Sequence, residues 1–160
     1  MAKIRINKME AARRQLDSAI RMTFGGEDPV AIHTVAAAAN RIVRDICEAR
    51  GDIESYLRVT DWIRPGYEGK FWAAWNAPAN FLKHADKDRD DIQDMNDEVS
   101  DFLIVMAAKL YVDLGNTPTK EMRTFSAWWL FQNPKTLKPE VVLNTGYMEP
   151  FSKVAKLMED

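Results

Sequence analysis

The sequence predicts an all-α fold, a single-domain helical bundle of about five to seven helices spanning residues 1–160. Three observations predict it. Apolar residues recur three and four apart through most of the chain, the period of a helix with one buried face. Two segments, Asp28-Pro29 and Thr117-Pro118, pair an N-cap acceptor with a proline at the first helical position, where a missing N–H costs nothing. Nowhere do four or more residues alternate apolar and polar beside Gly or Asn-Gly turns, so a sheet is not expected.

Each element follows from its own pattern. The first helix is expected over residues 8–23, with Met9, Ala12, Leu16, Ala19, Ile20 and Thr23 on one side and Arg13, Arg14 and Asp17 elsewhere. Gly25-Gly26 ends it. The second opens at Asp28-Pro29 and carries a stripe of Ile32, Val35, Ala36, Ala39, Ile42, Val43 and Ile46, closed by Gly51. Its run of four alanines, Ala36 to Ala39, lets a neighbour approach closely, which is expected to place it at the centre of the bundle, the alternative being high helix propensity alone.

Residues 52–90 are less regular. A short helix is expected over 53–57, a turn at Pro65-Gly66, then an aromatic helical face of Tyr67, Phe71, Trp72 and Trp75. Pro78 is expected to break that helix, because it lacks an N–H and its ring clashes with the preceding turn. A further short piece then carries Phe81 and Leu82.

Beyond the charged connection of residues 86–91, a helix over about 95–114 presents Val99, Phe102, Leu103, Met106, Leu110 and Leu114 and stops at Gly115. The next starts at Thr117-Pro118 with Met122, Phe125, Trp128, Trp129 and Phe131 as its apolar set. Trp128 and Trp129 are adjacent and so point about 100° apart on a helix, which leaves one of them for a partner or oligomer surface. Two short helices, 140–143 and 150–158, are expected at the end.

Composition bounds the function. A 160-residue chain with 46% hydrophobic and 29% charged residues is one ordinary globular domain that buries a core without staples. With 22 basic and 24 acidic residues, the net charge of −2 provides no global field to draw in a polyanion or an acidic membrane. A single cysteine, Cys47, excludes an internal disulfide and reads as a buried structural thiol in a reducing compartment. Met1-Ala2-Lys3-Ile4-Arg5 leads into no apolar core of the signal-peptide kind. The longest apolar run, 102–108, is far short of the ~20 residues of a membrane span. A cytoplasmic location without membrane contact is the expectation.

Candidate chemistry gathers in three places. The first is Asn80-x-x-Lys83-His84-x-Asp86, which offers a donor–acceptor, a cation, an imidazole and a carboxylate within seven residues. There His84 could serve as general base, Asp86 orient it and Lys83 hold a phosphate. The bland alternative is that these polar groups merely tie down an irregular segment.

The second is the stripe His33, Ala37, Asn40, Arg44 on one helix face. It reads either as one wall of an anion-binding groove, with Arg44 on the phosphate, or as the solvated edge of an amphipathic helix.

The third is the acidic series Asp94, Asp97, Glu98 and Asp101, whose oxygens suit Mg²⁺. Acidic residues in a first helical turn are also what the helix dipole favours. Asp86-x-Asp88-x-Asp90 has the spacing of an EF-hand start, but Asp91 stands where that loop needs glycine, so a calcium loop is excluded.

Three resemblances follow from these residues. Ala31-Ile32-His33-Thr34 with the following alanines, and Asn80-Phe81-Leu82-Lys83-His84-Ala85-Asp86, look like the two signature stretches of a family of small uncharacterised bacterial proteins. That resemblance implies a helical fold, not a mechanism. The order of a capped helix pair followed by a polar motif ending in His resembles the HEPN superfamily of helical nucleic-acid-associated domains. Many of its members are metal-independent ribonucleases acting as dimers. Their motif places an Arg several residues before the His, whereas here Ala79 stands five before His84 and Asp28 five before His33. The likeness therefore implies a degenerate binding member. Asp97-Glu98-x-x-Asp101 is similar to half of the motif of the MazG-type nucleotide pyrophosphohydrolases, but the second acidic pair those enzymes carry upstream is missing.

Together these readings predict a homo-oligomeric binding or regulatory protein, with a nucleotide or RNA as partner and no cofactor. The ligand-facing set is Asn80, Lys83, His84 and Asp86, with His33, Asn40 and Arg44 as a second wall; in a ribonuclease, His84 is the base and Lys83 or Arg44 the phosphate ligand. The alternatives are a Mg²⁺-dependent nucleotide hydrolase using Asp94, Glu98 and Asp101, and an interaction module without catalysis.

Overall fold

The computed structural model describes residues 3–51, 68–86 and 89–133. The expected elements at 53–57, 65–66, 140–143 and 150–158 lie outside these. Among the described residues there are five helices and no strand: α1 (Lys8–Gly25), α2 (Pro29–Arg50), α3 (Glu68–Phe81), α4 (Asp97–Asp113) and α5 (Lys120–Gln132). The all-α bundle expected from the periodicity is the observed fold.

Helix ends follow local chemistry. Asn7 Oδ1 accepts from the Glu10 amide at 2.8 Å and opens α1, and Gly26 closes it at φ 68°, a backbone that costs glycine nothing. Asp28 Oδ1 accepts from the Val30 and Ala31 amides at 2.8 and 3.2 Å, with Pro29 at the first position as predicted. Only residues 26–28 separate α1 from α2, so the pair forms an antiparallel hairpin.

α2 is the centre of the bundle and packs most extensively against α1 and α4. Ala36, Ala37 and Ala39 are buried, and their small side chains permit that approach. Around them Leu16, Ile20, Val43, Leu103, Ile104, Leu110, Met122 and Phe125 are essentially sealed from solvent.

The side-chain pairs between α2 and α4 rise together along both helices: His33 with Ser100, Asn40 with the Leu103 carbonyl, Arg50 with the Leu114 carbonyl. The two helices therefore run in the same direction, and their N-termini lie at the same end of the molecule.

Four expectations are corrected. Pro78 does not break α3, which runs through it to Phe81. It sits near the C-terminal end, so one backbone bond is forgone while the Pro78 carbonyl still accepts from the Leu82 amide at 3.0 Å. α5 begins at Thr119, not at Thr117-Pro118, because the Thr119 hydroxyl accepts from the Met122 amide at 3.2 Å and donates to Asp17 Oδ1 at 2.6 Å.

Asp17, assigned away from the apolar side, is buried, since Arg13 at 3.0 Å and Thr119 together satisfy its carboxylate. Phe131, counted with the apolar set, is 66% exposed, while Trp129 is buried and Trp128 only partly so.

Candidate functional site

The stripe His33, Ala37, Asn40, Arg44 faces inward. On this face α2 is covered by its neighbours, and the buried polar groups are satisfied against α3 and α4, whereas Arg41 and Asp45 pair in solvent on another face. Fully buried His33 places Nδ1 3.0 Å from Ser100 Oγ. Asn40, 1% exposed, donates from Nδ2 to the Leu103 carbonyl at 3.1 Å. The half-buried Arg44 guanidinium lies 4.2 Å over the Trp72 ring, and its Nη1 is 3.5 Å from Asn76 Oδ1. The expected groove wall, or solvated edge, is thus a polar seam that fixes α2 against two neighbours.

His33 is held below its ordinary pKa, first by burial, which penalises the charged ring, and then by the nearby positive charge of Lys83. Its Nε2 has no hydrogen-bond partner among the described residues. A sealed, neutral imidazole of this kind cannot take a proton from a substrate in solvent.

The second predicted cluster lies at the end of α3 and is exposed. The Asn80 carbonyl accepts from the Lys83 and His84 amides at 3.1 and 3.0 Å, winding the chain into a terminal turn. The turn follows Ala79, which is buried in the core; Phe81 and Leu82 are half-buried, and Asn80, Lys83, His84 and Asp86 stand in solvent. Among the described residues no side-chain hydrogen bond joins these four, so Asp86 does not orient His84. The positive charge of Lys83 acts on His33 by lowering its pKa, with no hydrogen bond between the two side chains. Arg44 meets α3 at Trp72 and Asn76, away from the His84 end, so the structure does not bring Arg44 and His84 together.

The acidic series divides in two. Asp94 precedes the Asn96 cap and is not on α4. Asp97 and Glu98 occupy the first turn, where the Glu98 amide donates to Asn96 Oδ1 at 2.9 Å and Asp97 Oδ1 at 3.0 Å, and where the helix dipole favours negative charge. Asp101 is half-buried, and its carboxyl is pushed up to about 6 by burial and then by Asp97 and Glu98. Among the described residues, no three His, Cys, Asp or Glu side chains converge as a metal site, so Asp94, Glu98 and Asp101 do not form the expected ligand set.

A groove of about 290 Å³ lies between the parallel N-termini of α2 and α4, lined by Pro29, Val30, Met95, Asn96, Asp97 and Ser100. Ser100 escaped the sequence reading. Its signal was a hydroxyl on the same face as Leu103, Ile104 and Ala107, opposite a helix carrying His33. Asn76 escaped because its role depends on where Arg44 crosses α3.

No helix of the described residues is long and apolar enough to cross a membrane. Comparisons with protein-family models, curated proteins and solved structures find no match to this chain.

Proposed function

We propose that this protein is a non-catalytic, HEPN-like binding module that meets a phosphate-bearing ligand, a nucleotide or RNA, through the turn Asn80–Asp86. The observation that supports the reading is the opposite fate of the two imidazoles. His33 is sealed in the α2–α4 seam and kept neutral, whereas His84 stands in solvent beside Lys83 on the turn that ends α3. General-base chemistry needs a base oriented by a third group, and His84 has no such partner among the described residues. An adjacent cation and imidazole on an exposed turn suit phosphate contact without chemistry. With a net charge of −2, such binding is local and falls with added salt.

Thermal shift against Mg²⁺, nucleotides and short RNA tests this, because a ligand that binds only the folded state raises the melting temperature. RNA or nucleotide is expected to raise it, and the double substitution Lys83→Ala with His84→Ala is expected to abolish the rise. A ligand shift untouched by that double substitution refutes the reading. Mg²⁺-dependent nucleotide hydrolysis lost in Asp101→Asn replaces it with the hydrolase reading, which has less support because the carboxylates do not converge. The homodimer belongs to the same proposal, with exposed Phe131 as its candidate contact and solution mass as its check.

A further inference from the structure

His33 is the one fully buried imidazole of the described residues, and it holds together the end of the bundle where α2 and α4 begin. We propose that His33 is an acid-sensitive latch: protonation of its ring releases the Ser100 end of the α2–α4 seam while the rest of the bundle stays folded. The inference is independent of any ligand.

The argument starts from the ring's surroundings. Its hydrogen-bond partner among the described residues is Ser100 Oγ, a group that accepts from a protonated Nδ1 as readily as it donates to a neutral one. Where Nδ1–H donates to that hydroxyl, Nε2 carries no hydrogen, and protonation adds an N–H there that is buried with no acceptor among the described residues.

Among the described residues, no charged group on a neighbouring element is bonded to the imidazolium. From the end of α3 comes Lys83, a cation that repels it. On α4, Asp97, Glu98 and Asp101 flank Ser100 in sequence, yet none bonds the ring, and Asp97 and Glu98 are engaged at the helix start. On α1, Arg13 and Arg14 pair with Glu10, Arg13 also pairs with Asp17, and Arg21 reaches Glu121 of α5.

The release is local because the seam is secured independently further along. Asn40 holds the Leu103 carbonyl, and Val43, Cys47, Ile104, Ala107 and Ala108 are sealed apolar residues. At the His33 end, by contrast, the groove beside Ser100 already brings solvent-accessible space to the seam, and Val30 is 46% exposed. Opening there exposes the ring, lets it take a proton and relieves the repulsion from Lys83.

Hydrogen exchange read by mass spectrometry on the whole protein tests the latch, with side-chain NMR of the imidazole as a second readout. After correction for intrinsic exchange, protection over residues 29–37 and 97–103 is expected to fall by about tenfold between pH 7 and pH 5 while residues 12–20 keep theirs. His33→Asn, which retains a polar atom near the Nδ1 position and does not titrate, is expected to abolish that fall. Asp101→Asn is expected to retain it, which separates the imidazole from the neighbouring carboxyl that titrates near 6.

Uniform loss of protection across all helices, or a fall that persists in folded His33→Asn, overturns the proposal. If His33→Asn does not fold, the wild-type ring decides: the latch requires its titration to coincide with the loss of protection, and a ring that titrates with protection unchanged refutes it.

Discussion

Asn40 decides between a ligand wall and a structural seam. Its side chain is 1% exposed and donates once, at 3.1 Å, to the Leu103 carbonyl, which belongs to a helix turn of α4. Asn40→Ala removes that bond, worth about 1 kcal/mol net, and leaves a void the size of an amide group in the buried seam between α2 and α4. The two losses together predict destabilisation of about 2 kcal/mol.

Asn40→Leu fills the space. The Leu103 carbonyl is left with the partner its own helix supplies, so the expected cost is below about 1 kcal/mol. Asn40→Asp is the severe member of the series, because it buries a carboxylate facing a carbonyl oxygen while the cation one turn along, Arg44, is held over the Trp72 ring; about 3 kcal/mol or more is expected at pH 7. The new carboxyl has its folded pKa raised above its unfolded one. Its penalty is therefore complete above the folded value and eases as pH falls. Urea unfolding at pH 7 and pH 5 measures all three. The structural reading fails if alanine and aspartate at this position both stay within about 0.5 kcal/mol of the parent, the range of an exposed site.

Two further predictions follow from the same geometry. Asp101→Asn is expected to stabilise the protein by about 1 kcal/mol at pH 7.5, a value discounted for the partial exposure of the group. The sign follows from a carboxyl raised from 3.8 to about 6: the native state holds the proton more tightly than the unfolded chain, so wild-type stability falls as pH rises through that window, and the advantage of the substitution vanishes near pH 4. Urea midpoints across pH 4–7.5 measure it. Thr119→Ala removes both the α5 cap and the hydroxyl that satisfies buried Asp17, so a loss of about 2 kcal/mol is expected, against about 1 for a cap alone; Thr119→Ser, which keeps both bonds, should recover most of it on thermal unfolding.

Much of the fold was legible because its signals are local. A cap such as Asp28 acts on amides two and three residues away, and a glycine such as Gly26 or Gly51 ends a helix through its own φ. The helical period of α1 and α2 likewise needs only neighbouring residues, and the Ala36–Ala39 run announced a close crossing before any partner was known. The end of α3 as a place where polar residues reach solvent was also readable, from the position of Asn80 to Asp86 after an aromatic stripe.

What misled the reading was non-local. A polar residue on a helix wheel looks solvated unless the element opposite is known. Asp17 is buried because Thr119, 102 residues away, supplies a hydroxyl. His33 is sealed because Ser100, 67 residues away, meets its ring. The acidic series looked like a ligand set until Asn96 turned out to cap α4, which left Asp94 outside the helix and assigned Asp97 and Glu98 to its first turn.

By itself, then, the sequence determined the all-α class, the helical period of α1, α2 and α4, most of the ends of those three and the small-residue face of α2, since each of these is a property of residues within a turn or two of one another. Tertiary structure alone decided which of two imidazoles is sealed and which is exposed, that α2 and α4 run in the same direction, and that the polar stripe of α2 is an internal seam. Burial and charge pairing are set by whatever packs opposite, and no local pattern encodes that partner.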